Sequence, residues 1–320
     1  MPSIYASMVI NGSEGWGDSI PVLWIAEHLW KKGNYNEIYL WDGGSRETCK
    51  YHNQIKFYHR SFIDKPYYIK DFIDGPPDER RFDTILSTHF HAPFPSNFAL
   101  EWAAPPFADP IYGGLLPPAL YIDGPPEAKK ILHLDLNSTA MKLIVNEKFR
   151  PSFPNIINSS DFDNELSIDG DFVCVQLRSD DPWRGDIIYG GEYDSWATEL
   201  IEKLSSKIKT YILSDFPSRS KAIDQAVSSG MLIDATKYSF WNKIKISSKA
   251  RKSACSHSGF GLIMSGYSDW RNVMLINAAV PTVRMPPLQC FANGQELIDR
   301  NDGSSSLDID GIVNFLATRD

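Results

Sequence analysis

Cysteine is scarce in this chain of 320 residues: Cys49, Cys174, Cys255 and Cys290 stand far apart and no CxxC pair occurs. That spacing excludes the usual zinc patterns and a disulfide framework, and it fits a reducing compartment. Long apolar runs are missing as well. No uncharged apolar stretch reaches the about 18 residues that a membrane-crossing helix needs. The opening MPSIYASMVINGSEGWGD has neither the basic nor the apolar segment of a secretory leader. No long run of Lys or Arg occurs, and 32 basic against 40 acidic residues leave a net charge of -8. Duplex nucleic acid is therefore not an expected partner. Two nucleotide signatures are absent. There is no GxxxxGK followed by Ser or Thr, and the N-terminal turn at Gly12, Gly15 and Gly17 runs GxxGxG rather than GxGxxG. A nicotinamide cofactor is thus not expected. The expectation is a cytoplasmic protein with no metal and no cofactor, for which peripheral membrane contact stays open.

Hydrophobic residues at 42% and charged residues at 22% describe an ordinary folded chain. Its length suits two domains of about 150 residues each. The first half opens with a strand expected over 7–10, the glycine turn, a helix over 20–30 and a strand over 37–41. That is a βαβ opening, hence a parallel sheet. A further strand is expected over 82–87 and ends in Thr88-His89-Phe90-His91. The proline-rich stretch 93–126 reads as irregular structure packed on this domain. The polar, proline-containing stretch 147–169 carries the domain crossing. A second αβ series follows, with strands at 171–177, 210–213 and 231–234 and helices at 193–206, 218–228 and 240–252. We expect an α/β fold of two doubly wound, Rossmann-like domains facing a cleft. These are an acceptor-side domain over 1–155 and a nucleotide-sugar domain over 156–320, with the last helix-like run, 312–318, free to pack back on the first domain.

Ligands of open parallel sheets bind beyond the carboxyl ends of the strands. In the second half that edge carries Arg178 and Arg184 after the first strand, Ser214 and Asp215 after the second, and the turn Ser256-His257-Ser258-Gly259-Phe260-Gly261 later on. The turn opens into an apolar helix. The first amides of such a helix lack internal partners, its dipole makes that end positive, and small residues allow an anion close approach. With arginine forks this describes a diphosphate site. An ordinary Ser/Gly capping turn fits the same residues, and Arg178 has Asp180, Asp181 and Asp186 nearby as salt-bridge partners. In the first half Glu14 and Asp18 lie in or beside the glycine turn, where a carboxylate can take a proton from an acceptor hydroxyl. A helix N-cap at Asp18 would use the same residue. His89 and His91, spaced by two, lack the rest of a metal ligand set and are read, with Gly15 and Gly17, as acceptor-side residues.

The run Gly15-Trp16-Gly17-Asp18-Ser19-Ile20-Pro21 resembles the GxGD turn of the ADP-heptose heptosyltransferases, although the proline comes early. In that family the aspartate of the turn is the proposed base. The set Val175-Gln176-Leu177-Arg178, Leu213-Ser214-Asp215 and His257-Ser258-Gly259-Phe260 resembles the GDP-fucose-using fucosyltransferases. The resemblance implies a GT-B, metal-independent glycosyltransferase. Its donor would be a GDP- or ADP-linked sugar and its acceptor a glycan or glycolipid hydroxyl. Asp18, with Glu14 beside it, would act as base, and Arg178 with the 256–261 turn would hold the diphosphate. A nucleotide-sugar epimerase and a carbohydrate- or nucleotide-binding protein without chemistry are the alternatives.

Overall fold

The computed structural model describes residues 3–7, 16–33, 35–41, 64–72, 84–87, 101–102, 120–121, 130–133, 143–144, 147–155, 166–177, 193–256, 259–278, 295–299, 305–306 and 308–319. Its contacts divide the chain into two compact units, 1–160 and 161–320. Among the described residues, no helix is long and apolar enough to cross a membrane.

In the first unit, β1 (Ser3–Ser7), β2 (Glu37–Trp41), β3 (Asp71–Phe72), β4 (Thr84–Ser87) and β7 (Lys130–His133) form a five-stranded parallel sheet in the order β3-β2-β1-β4-β7. The first strand is earlier than expected. Ile4 and Ala6 stand opposite Ile38 and Leu40 of β2, so the central strand is built from Ile4-Tyr5-Ala6 and not from 7–10. Within the stretch expected to be irregular, β5 (Glu101–Trp102) and β6 (Leu120–Tyr121) pair antiparallel at positions free of proline.

Helix α1 (Trp16–Lys31) connects β1 to β2. It starts earlier than its apolar pattern suggests, so Asp18 falls in the first turn and is not the N-cap. Pro21 then lies inside the helix, where it has no amide to donate to the Gly17 carbonyl one turn back. Residues 23–29 are all buried, a full circuit of the helix surface. The sheet can cover only one side of α1. The segments 64–70 and 147–155 cover another part through the buried Glu27 carboxylate, which accepts from Tyr67 and from Ser152.

In the second unit, β8 (Phe172–Gln176), β9 (Lys209–Ile212), β10 (Leu232–Asp234), β11 (Lys252–Ser256), β12 (Val273–Ala278), β13 (Gln295–Asp299) and β14 (Ser305–Ser306) form one sheet in the order β10-β9-β8-β11-β12-β13-β14. All neighbours run parallel except β13 and β14. The order runs outward from β8 in one direction and resumes at β11 in the other, so the topology switches between β8 and β11. Helices α2 (Tyr193–Ser205), α3 (Lys221–Ser228) and α6 (Ile309–Ala317) pack together, and α4 (Phe240–Lys249) packs with α5 (Gly259–Tyr267).

The strand alternation builds two apolar layers. Val173, Val175, Ile212, Ala254, Met274 and Ile276 meet Leu200, Ile201, Leu204, Ile312 and Leu316 in one buried cluster. Each of the Val, Leu, Ile and Met side chains contributes roughly 1.5–3 kcal/mol. Cys174 and Cys255 are fully buried, and burial pushes both thiols well above the ordinary range, as suits small apolar fillers. Helix α4 ends at Lys249, short of the expected 252. Ala250 turns extended, and Lys252 already pairs with Val173 as the first residue of β11.

Candidate functional site

The carboxyl edge of the second sheet is where side chains and helix starts converge. Strands β8 to β11 run parallel, so the chain leaves each of them on one side and enters the next helix there. Ser214 and Asp215 follow β9 at this edge. The Ser214 hydroxyl donates to the Leu177 carbonyl just past β8, which ties the two strand ends together. Asp215 has φ 26, in the left-handed region that a non-glycine residue adopts only when its surroundings hold it there. Beneath these residues, the space bounded by Val175, Leu177, Ile201, Ile212, Ser214 and Asp215 has no room for water. The floor is packed, so a ligand here would lie above it.

Helices α4 and α5 begin beside each other. The Ser239 hydroxyl caps α4 by accepting from the Asn242 amide at 3.3 Å. The Phe240 and Phe260 rings meet edge to face with centroids 5.5 Å apart. Gly259 opens α5 and Gly261 is buried in its first turn, so the expected turn-to-helix geometry is present over 259–261. Ser256 closes β11. His257, Ser258, Arg178 and Arg184 lie outside the described residues, as do Asp180 and Asp181.

Two groups at this edge are not among the site residues expected from the sequence. Lys243 is half-buried in the first turn of α4, and its ammonium makes no ion pair among the described residues. Burial lowers its pKa below the ordinary lysine value, while Asp215 and Asp234 oppose that shift. A cation in the first turn of a helix also faces the positive end of the dipole. The nearby carboxylates of Asp215 and Asp234 favour its charge only in part, and groups perturbed by burial cluster at functional sites. The signal available in the sequence is its position, four residues after a helix-capping serine that itself follows a strand. Gln176 is the second. It ends β8 at the topological switch, is buried, and its side-chain carbonyl oxygen has no hydrogen-bond partner among the described residues. A buried orphan acceptor is uncommon and calls for an account.

In the first unit, Gly17 and Asp18 lie in the first turn of α1, at the carboxyl end of β1. Glu14, Gly15, His89 and His91 fall outside the described residues. Among the described residues no cluster of His, Cys, Asp and Glu could hold a metal ion.

No family model matches the chain, and no curated protein matches it. Among solved structures it is similar to a glycosyl transferase family 9 protein from Veillonella parvula. The identity is 10%, over 86% of this chain and 79% of that one, with a TM-score of 0.40.

Proposed function

We propose that the protein is a glycosyltransferase whose second unit holds a nucleoside-diphosphate sugar at the carboxyl edge of its sheet. In this reading both units are Rossmann-like domains of a GT-B enzyme. The observation that carries it is the half-buried Lys243, without an ion pair among the described residues, on a helix that begins beside the start of α5 at the carboxyl edge of the sheet. That edge offers amide donors, a positive helix end and a desolvated cation to a diphosphate, the group on which charge develops as the glycosidic bond breaks. Gln176 adds a buried acceptor for a ribose or base donor. Arg178 and the rest of the 256–261 turn complete the donor side. Asp18, with Glu14, acts as base towards the acceptor hydroxyl of a glycan or glycolipid. The donor is GDP- or ADP-linked and no metal takes part.

The test is a thermal-shift series with GDP, ADP, UDP, CMP and their sugar conjugates, with and without EDTA. A ligand that binds only the folded chain raises its stability by mass action. The expected result is a shift with one nucleoside diphosphate, insensitive to EDTA and lost in Lys243→Ala. No shift with any nucleotide, or one unchanged in Lys243→Ala, overturns the assignment. Sugar turnover without an acceptor would point to an epimerase, and binding without turnover to a non-catalytic protein.

A further inference from the structure

A second candidate site lies in the first unit, at the opposite end of α1 from Asp18. The helix has 16 residues, so its ends stand about 24 Å apart. Its last turn and the segment 147–150 enclose an open cleft of about 410 Å³, within the usual range for small-molecule pockets. The floor is apolar: His28 and Phe149 are both buried, and their rings meet edge to face at 5.3 Å. The rim is cationic, with Lys31, Lys32, Lys148 and Arg150 against the single carboxylate of Glu147. This concentration of positive charge sits in a chain of net charge -8.

Part of the pattern has an ordinary account. Lysines in the last turn of a helix offset its dipole. Lys31 also pairs with Glu27 at 2.8 Å, and Lys32 with Glu147 at 2.9 Å. That account does not reach the 147–150 segment, which brings further cations to the same rim from far along the chain. Lys148 makes no ion pair among the described residues, and it holds φ 52, a left-handed backbone that disfavours any residue but glycine. Lys148 is thus the rim cation whose charge no ion pair among the described residues offsets, and a bound anion would offset it.

We propose that this cleft binds a phosphate-bearing anion, carried on a free small molecule or on a lipid headgroup. The cations meet the phosphate oxygens, and the His28–Phe149 floor carries the apolar part of the ligand. The site does not depend on the glycosyltransferase assignment.

The experiment uses the full chain in a Lys243→Ala background, which silences the nucleotide edge. Pyrophosphate is titrated by calorimetry, and vesicles of phosphatidylcholine with and without phosphatidic acid are tested by co-sedimentation. Lys148→Gly is the informative variant. It removes the charge and relieves the backbone, so the melting temperature should hold or rise. Anion affinity should fall about tenfold, the loss of one charge-assisted contact. Lys207→Ala, an exposed lysine of the second unit, is the charge-matched control and should leave affinity unchanged. Lys148-sensitive binding of pyrophosphate assigns a free ligand, and Lys148-sensitive binding of phosphatidic acid vesicles alone assigns a headgroup. Absence of both, or binding indifferent to Lys148→Gly, overturns the proposal. Pyrophosphate binding that vanishes with Lys243→Ala while vesicles stay unbound has the same consequence, and it leaves the donor site standing.

Discussion

Ser152 donates two hydrogen bonds to the carboxylate of Glu27, from its amide to Oε2 at 2.9 Å and from its hydroxyl to Oε1 at 2.6 Å. The same carboxylate accepts from the Tyr67 hydroxyl at 2.7 Å and pairs with Lys31. Burial alone would raise the Glu27 pKa, but these donors together bring it below the ordinary carboxylate value. One charged group inside α1 thereby fastens two distant segments to the helix. Glu27→Ala removes these bonds, but Tyr67, Ser152 and Lys31 are exposed and can turn to water, so we expect it to lower stability by about 1.5 kcal/mol at neutral pH. Urea unfolding of the whole chain measures this. A loss under about 0.5 kcal/mol would mean that the segments are held by apolar packing instead.

The His28 ring gives the first unit a pH dependence of known direction. Burial, with a smaller contribution from Lys32 and Lys31, lowers its pKa, while Glu147 opposes the shift. The unfolded chain therefore takes up a proton at His28 more readily than the folded one. Stability is fully present above the ordinary histidine value of about 6.5 and declines as pH falls from there towards the folded pKa. Glu27 acts in a lower window, below the ordinary carboxylate range, so the two effects separate. In His28→Gln the slope between pH 7 and 5 should flatten. An unchanged slope assigns it to other groups.

Arg251 closes the end of α6. It donates through Nη1 to Asp171 at 2.6 Å and through Nη2 to the Leu316 and Ala317 carbonyls at 3.1 and 3.0 Å. These are terminal helix carbonyls that lack internal partners. A lysine cannot reproduce the fork. Arg251→Lys should weaken the final helix by about 1 kcal/mol, seen as faster amide exchange over 312–318 with little change over β8. Uniformly faster exchange would mean that the arginine supports the whole unit.

The second unit was legible in the sequence because its elements carry their own punctuation. Strand β8 is a short apolar β-branched run, α2 has a clear 3.6-residue period, and Ser220 and Ser239 cap α3 and α4. The misplaced elements were those whose pattern is ambiguous. The opening strand depends on pairing with β2 and β4 rather than on local propensity, and the end of α4 is decided by Lys252 joining β11. The candidate site was legible as motif residues and not as environment. Ser214, Asp215 and 259–261 were found from glycine and strand-end signals. Lys243 and Gln176 become conspicuous only once burial and the lack of partners are known, and neither property is written locally in the chain.

Gln176 offers the sharpest separation of a structural from a ligand-binding role. Among the described residues its buried side-chain oxygen has no partner, an arrangement that disfavours the folded state of the unliganded protein. Gln176→Met keeps the length of the side chain and removes the orphan, so unliganded stability should hold or rise by about 1 kcal/mol. If the oxygen is kept to accept a hydrogen bond from the donor nucleotide, affinity for the nucleoside diphosphate should fall about tenfold in the same variant. Stability and affinity moving in opposite directions would place Gln176 in the binding site. If both fall together, the residue belongs to the core. Unchanged affinity would remove it from the donor site while leaving Lys243 and the start of α5 as the groups that meet the diphosphate.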